Sequence, residues 1–150
     1  MAAVAGCSAP AEQPAGAVRV VRVVDGDTIR VALPSGEEAV RYIGVDTPES
    51  VKPDSPVECF GRRAAAFNRR LVEGERVRLV ADVEARDRFG RMLAYVYRAR
   101  DGLFVNAELV RRGYATAITV PPNVAHAAEL RRHAAGARET GLGLWSRCLR

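Results

Sequence analysis

The architecture turns on residues 22–49, RVVDGDTIRVALPSGEEAVRYIGVDTPE. β-Branched residues flank Asp25-Gly26-Asp27, with Val23 and Val24 before it and Ile29 and Val31 after, so two strands meet at an irregular step where Gly26 frees the backbone for a bulge. Pro34-Ser35-Gly36 turns the chain. A third strand over 39–45 then returns to a second acidic step, Asp46-Thr47-Pro48-Glu49, and Pro48 ends it because it cannot donate to a ladder. Two acidic strand ends can therefore meet. Strict alternation puts Arg41 and Asp46 on opposite faces, so a shared site requires a bend, and Gly44 is placed for it. Carboxylates with a backbone carbonyl or two make an oxygen-only site for a hard cation such as Ca²⁺. A guanidinium beside them suits a phosphate held between metal and arginine.

The remaining segments supply short strands and helices. Residues 18–24 form the first strand, 28–33 the second, 77–83 a fourth by their alternation and 92–97 a fifth, after which Asp101-Gly102 signals a hairpin. Phe60, Ala64, Phe67 and Leu71 recur on one face of a helix ending at Gly74, with Arg62, Arg63, Arg69 and Arg70 on the other. A short helix follows, with Asn106 as cap and Gly113 as stop. A last helix begins near Pro122-Asn123, presents Ala127, Leu130, Ala134 and Ala137 on one side and ends by Gly141, and Trp145 is expected to fold back on the core. Residues 50–57, with two prolines, form a loop beside the acidic cluster. Five short strands without sustained βαβ alternation predict an α+β protein, a five-stranded OB-fold-like β-barrel with three α-helices.

At 150 residues the chain makes one domain, over 17–150, behind a flexible arm of residues 1–16 that is small, Pro-containing and aperiodic. A net charge of +5, carried by 22 arginines against the single lysine Lys52, favours a polyanionic partner. No apolar run approaches the ~20 residues of a membrane helix. Val4-Ala5-Gly6-Cys7 has the form of a bacterial lipobox, although the n-region and h-region that precede one are missing. It predicts an extracytoplasmic lipoprotein, acylated at Cys7 and conditional on an upstream segment. With Cys7 so used, Cys59 and Cys148 remain as an even pair, expected to form a disulfide that pins the C-terminal tail to the first helix. No G-x-S-x-G, P-loop or G-x-G-x-x-G occurs. His126 and His133 lack zinc spacing and read as ordinary surface histidines.

Four motifs in order carry a resemblance: Val24-Asp25-Gly26-Asp27-Thr28; Arg41 with Val45-Asp46-Thr47-Pro48-Glu49; Asp87-Arg88-Phe89-Gly90-Arg91-Met92-Leu93-Ala94-Tyr95; and Val105-Asn106-Ala107-Glu108-Leu109-Val110. Together, over about residues 18–147, they resemble the staphylococcal (thermo)nuclease family. The resemblance implies an OB-fold barrel with three helices, hydrolysing single-stranded DNA and RNA with Ca²⁺ and leaving 3′-phosphates, as a monomer. It implies Asp27 and Asp46 as side-chain metal ligands with the Thr47 carbonyl, Glu49 as general base, Arg41 and Arg91 as phosphate-gripping catalytic residues, and Asp25 as a supporting acid. The chain departs from the family where Ile118-Thr119-Val120-Pro121 replaces tyrosines, Phe89 a tyrosine and Arg88 a lysine, which bears on affinity and base preference. Two other readings compete: a non-catalytic nucleic-acid-binding barrel, and a Ca²⁺-binding envelope domain that leaves Arg41 and Arg91 without a task.

Overall fold

The computed structural model describes residues 16–50 and 58–148. Cys7 and most of the arm and of the 50–57 loop lie outside the described residues. Five strands close a barrel in the order β1 (Val18–Asp25), β2 (Thr28–Leu33), β3 (Gly36–Tyr42), β6 (Met92–Arg98), β5 (Arg76–Val80). All neighbours are antiparallel except β3 and β6, which run parallel with Arg41 opposite Leu93. The β-branched residues point inward: Val20, Ile29, Val31, Val40, Val77 and Val96 are fully buried, each contributing roughly 1.5–3 kcal/mol of transfer free energy.

Irregularities in β1 build the site wall. The register with β2 slips between Val20 and Arg22 and again between Val23 and Asp25, so that Val18, Val20 and Val23 are buried in the core while Asp25, also buried, lies at the cleft. Gly26 itself sits in the following turn rather than at a bulge. Its requirement is space, since a Cβ there would lie 2.6 Å from Thr47 Oγ1 and 2.9 Å from the Ala64 methyl.

The third strand is split. Gly44 adopts a left-handed φ of 79°, so Tyr42 ends β3 and Val45–Asp46 becomes β4, pairing with β7 (Thr116–Ala117) in a separate small sheet. This is the bend that Arg41 and Asp46 require. The fourth strand is shorter than expected because Asp82 leaves the ladder, accepting bonds from Tyr95 Oη, the Val83 N–H and the Ala125 N–H.

Three helices pack around the barrel: α1 (Gly61–Val72), α2 (Val105–Arg111) and α3 (Ala127–Glu139). A single turn, α4 (Leu144–Arg147), adds a fourth. α1 buries Ala64, Ala65, Asn68, Leu71 and Val72 and leaves Arg62, Arg63, Arg69 and Arg70 in solvent, as its pattern requires. Asn106 is not a cap. It lies inside α2, fully buried, where its amide accepts from the Val96 N–H at 2.9 Å and donates to the Ile43 carbonyl at 2.8 Å. α3 starts later than expected because Asn123 is held by Glu84 through two backbone bonds of 2.8 and 3.0 Å. In α4 it is Leu144 that is buried, while Trp145 is half-buried under the Arg138 guanidinium. Cys59 and Cys148 are joined by a disulfide with Cα atoms 5.8 Å apart. Among the described residues no helix is long and apolar enough to cross a membrane.

Candidate active site

The outer face of β1, β2 and β3 forms one wall of a cleft of about 500 Å³, and the segment 46–49 forms another. Asp25, Asp27, Arg41, Asp46, Thr47, Glu49 and Arg91 all line it, so every residue singled out from the sequence for the site is brought to one place. Each arrives by a different local device.

Asp27 occupies the turn between β1 and β2 and is nearly buried. Its Oδ1 accepts from the Thr28 hydroxyl and its Oδ2 from the Thr47 N–H, both at 3.0 Å, which locks the two acidic steps together. Arg41 projects from β3 and donates through Nη1 to the carbonyls of Tyr42 and Val45, each at 2.8 Å. With the guanidinium so fixed, Nη2 lies 3.4 Å from both Asp27 Oδ2 and Asp46 Oδ1. One nitrogen thus stands between the two carboxylates.

Asp46 is the accessible acid, with 57% of its side chain exposed. Its carboxyl is pushed above the usual range by partial burial, opposed by Arg41 and reinforced by the like charges of Asp27, Glu58 and Glu49; its exposure lets solvent screen all of these. Asp25 is likewise raised, chiefly by burial, against bonds from Ser50 and the Gly26 N–H and with help from Asp27 and Glu49. The site is therefore crowded with negative charge and stays receptive to a cation or a proton.

Three residues hold the site in place without having been assigned that role from the sequence. Glu58 Oε2 accepts the Glu49 N–H at 2.9 Å while the Glu58 N–H donates to the Glu49 carbonyl at 2.9 Å, a reciprocal clasp on the backbone of Glu49. Ser50 donates its hydroxyl to Asp25 Oδ1. Asp87 organises the turn that carries Arg91: its Oδ1 accepts from the Phe89 and Arg91 N–H groups at 2.9 and 3.0 Å, and its Oδ2 accepts from Arg91 Nε at 2.7 Å. Burial pushes the Asp87 carboxyl up, but these bonds outweigh it and hold it below its usual value. The Asp-x-x-Gly spacing of 87–90 is a turn signature that could have revealed that role. The Glu58 clasp has no such local signal, since its partners are nine residues apart in sequence.

The donor set suits a hard cation in part. Asp27, Asp46 and the Thr47 backbone offer oxygen only, and the Thr47 hydroxyl is buried with no hydrogen-bond partner among the described residues. No three acids, histidines or cysteines converge on one point among the described residues. A cation held here would find Asp27 and Asp46 as charged protein groups and would take the rest of its shell from neutral oxygens.

Fold and cleft together define an oligonucleotide-binding-type barrel with an acid and arginine site on its outer wall. Residues 39–147 match the staphylococcal nuclease homologue family. The chain is 41% identical to a thermonuclease of Staphylococcus intermedius and 38% identical to one of Staphylococcus hyicus, each over 128 residues that cover 85% of this chain and 75% of the relative. It is also 38% identical to the endonuclease YncB of Bacillus subtilis (strain 168) over 132 residues, covering 87% of this chain and 62% of that protein. The chain belongs to the staphylococcal nuclease family.

Proposed function

We propose that this protein is a Ca²⁺-dependent phosphodiesterase that hydrolyses DNA and RNA, preferring single strands, and leaves 3′-phosphate ends. The observation that carries the reading is the Arg41 guanidinium held between Asp27 and Asp46 in a cleft that also holds Glu49 and Arg91. That combination has a use for both signs of charge, which a simple cation-binding or polyanion-binding surface lacks.

Asp27, Asp46 and the Thr47 carbonyl would hold the Ca²⁺, which would supply Lewis-acid neutralisation of charge at the scissile phosphate. Arg41 and Arg91 grip the non-bridging oxygens and stabilise the charge that grows on them in the transition state. Glu49, its backbone fixed by Glu58, accepts a proton from the attacking water. The new P–O bond forms as the bond to the 5′-oxygen breaks, and that oxygen takes its proton from solvent. Export to an oxidising compartment is part of the proposal. The disulfide supports it, and acylation at Cys7 with action as a monomer completes it.

The test incubates the protein with a labelled single-stranded oligonucleotide, with Ca²⁺ or with EDTA. Shortened products with Ca²⁺ and none with EDTA are expected. Binding of an intact strand without shortening in Ca²⁺ would favour a non-catalytic module instead. Undiminished cleavage in EDTA would overturn the metal assignment.

A further inference from the structure

Two arginines that the proposed chemistry does not use share the same cleft. Arg22 on β1 and Arg30 on β2 line it beyond Asp25 and Thr28, and the register makes them direct cross-strand partners. Opposed like charges on a sheet face destabilise it unless something neutralises them. Arg30 has Glu37, with Nε 3.3 Å from Glu37 Oε2. Arg22 is exposed and, among the described residues, no carboxylate pairs with it.

The placement is ordered. Thr28 faces Arg41 across β2 and β3, and Arg30 faces Ala39 in the next row on the same side. Arg22, Arg30 and Ala39 thus form one row across three strands, and Thr28 and Arg41 belong to the next. Two residues along a strand are about 7 Å, the scale of one nucleotide step on an extended strand. The small side chain of Ala39 leaves the row open, and Val24 beside it gives the cleft an apolar margin.

We propose that Arg22 and Arg30 form a second phosphate subsite, one nucleotide removed from the phosphate held by Arg41 and Arg91, that makes the protein favour polynucleotides over a single phosphodiester. This rests on the nuclease reading for its substrate class, while the subsite itself concerns binding. A guanidinium pair can donate several N–H groups to the oxygens of one phosphate, and the phosphate charge lifts the like-charge repulsion on the wall.

The test compares the wild type with Arg22→Gln, Arg30→Gln and the double variant, using two probes. One is a single-stranded oligonucleotide of twelve residues and the other a dinucleoside monophosphate, which has one phosphodiester and nothing for the second subsite. Binding of the labelled oligonucleotide is measured by anisotropy in EDTA, where it stays intact, across a salt series, and kcat/KM is measured on both substrates in Ca²⁺. Each substitution is expected to weaken oligonucleotide binding about three- to tenfold and to lower the salt slope by about 0.7–1. kcat/KM on the dinucleoside monophosphate should stay within about twofold. Glu37→Gln separates the loss of Arg30's charge from the loss of its ion pair, and it should leave oligonucleotide binding the same or tighter.

Equal losses on both substrates, or an unchanged oligonucleotide affinity and salt slope in the double variant, would overturn the subsite. If the wild type binds the oligonucleotide but cleaves neither substrate, the nuclease reading fails while the anisotropy series still decides the subsite.

Discussion

The Thr47 N–H donates to Asp27 Oδ2 across twenty residues of sequence. This bond joins the two acidic steps, and the Gly26 turn that supports it leaves no room for a side chain against Thr47. Gly26→Ala is therefore expected to lower stability by about 1–3 kcal/mol through overpacking. Thermal unfolding would register this as a Tm lower by several degrees. The same variant should lose activity out of proportion to its unfolded fraction, because Thr47 must shift. A Tm within one degree of wild type would show that the turn yields freely.

Arg91→Ala and Glu49→Gln are each expected to lower kcat by about 10²-fold or more, the scale of a lost charge stabiliser or base, with the fold intact by circular dichroism. Arg62→Ala, on the solvent face of α1, is the control and should change little. A comparable loss at Arg62 would mean that the arginines of the site and of the surface have been wrongly divided.

Asp87→Ala tests the turn that aims Arg91. Losing three accepted hydrogen bonds frees the guanidinium, so kcat should fall while oligonucleotide affinity changes less, and Asp87→Asn should recover part of the rate because its amide oxygen can still accept from the two N–H groups. Equal rates in Asp87→Ala and wild type would show that Arg91 finds its position without help.

The acid crowding predicts a pH dependence of stability. The Asp25 carboxyl is raised above 3.8 in the fold, first by burial. A folded-state value above the unfolded one stabilises the fold where the group is protonated, below the unfolded value, and that contribution is lost as pH rises through the folded value. Asp25→Asn should therefore have a higher Tm than wild type at pH 7, with the difference shrinking as pH falls through the raised folded value and gone below the unfolded value of about 4. A variant less stable than wild type at pH 7 would mean that the bonds from Ser50 and Gly26 outweigh the burial cost.

The disulfide has a separate signature. Its closed loop is long, with a sequence separation of 89, and the chain-entropy model assigns such a loop roughly 4–5 kcal/mol. Reducing agent, or the Cys59→Ser and Cys148→Ser pair, should move the urea midpoint down accordingly. Unchanged midpoints under reduction would show that α4 is held by the packing of Leu144 alone.

The sequence made part of the candidate site legible because its signals are local. Gly-flanked acids, a proline that stops a strand and a glycine placed for a bend each act within a few residues, and Asp25, Asp27, Arg41, Asp46 and Glu49 line one cleft. Arg91 and Thr47, which line it too, entered only through the family resemblance. What escaped was set by distant partners. Asn106 has the composition of a cap, yet its amide serves backbone groups 10 and 63 residues away. The start of α3 depends on Asn123 bonding Glu84, 39 residues earlier. Arg22 follows a slip in β1 that strict alternation does not foresee, and its meeting with Arg30 became visible only once the register of β1 on β2 was fixed.

Asn106 has one more implication. Its side chain bridges the Ile43 carbonyl, just before the bend that aims Asp46, and the Val96 N–H in the barrel wall. The strand end that carries Asp46 is thus tethered to β6 in the barrel wall, where Val96 is fully buried. In amide exchange, the Val96 N–H should open only with global unfolding. The rim that carries Asp46 would then share the lifetime of the whole native state, so that heat should abolish the ligand geometry and the barrel in one transition rather than two.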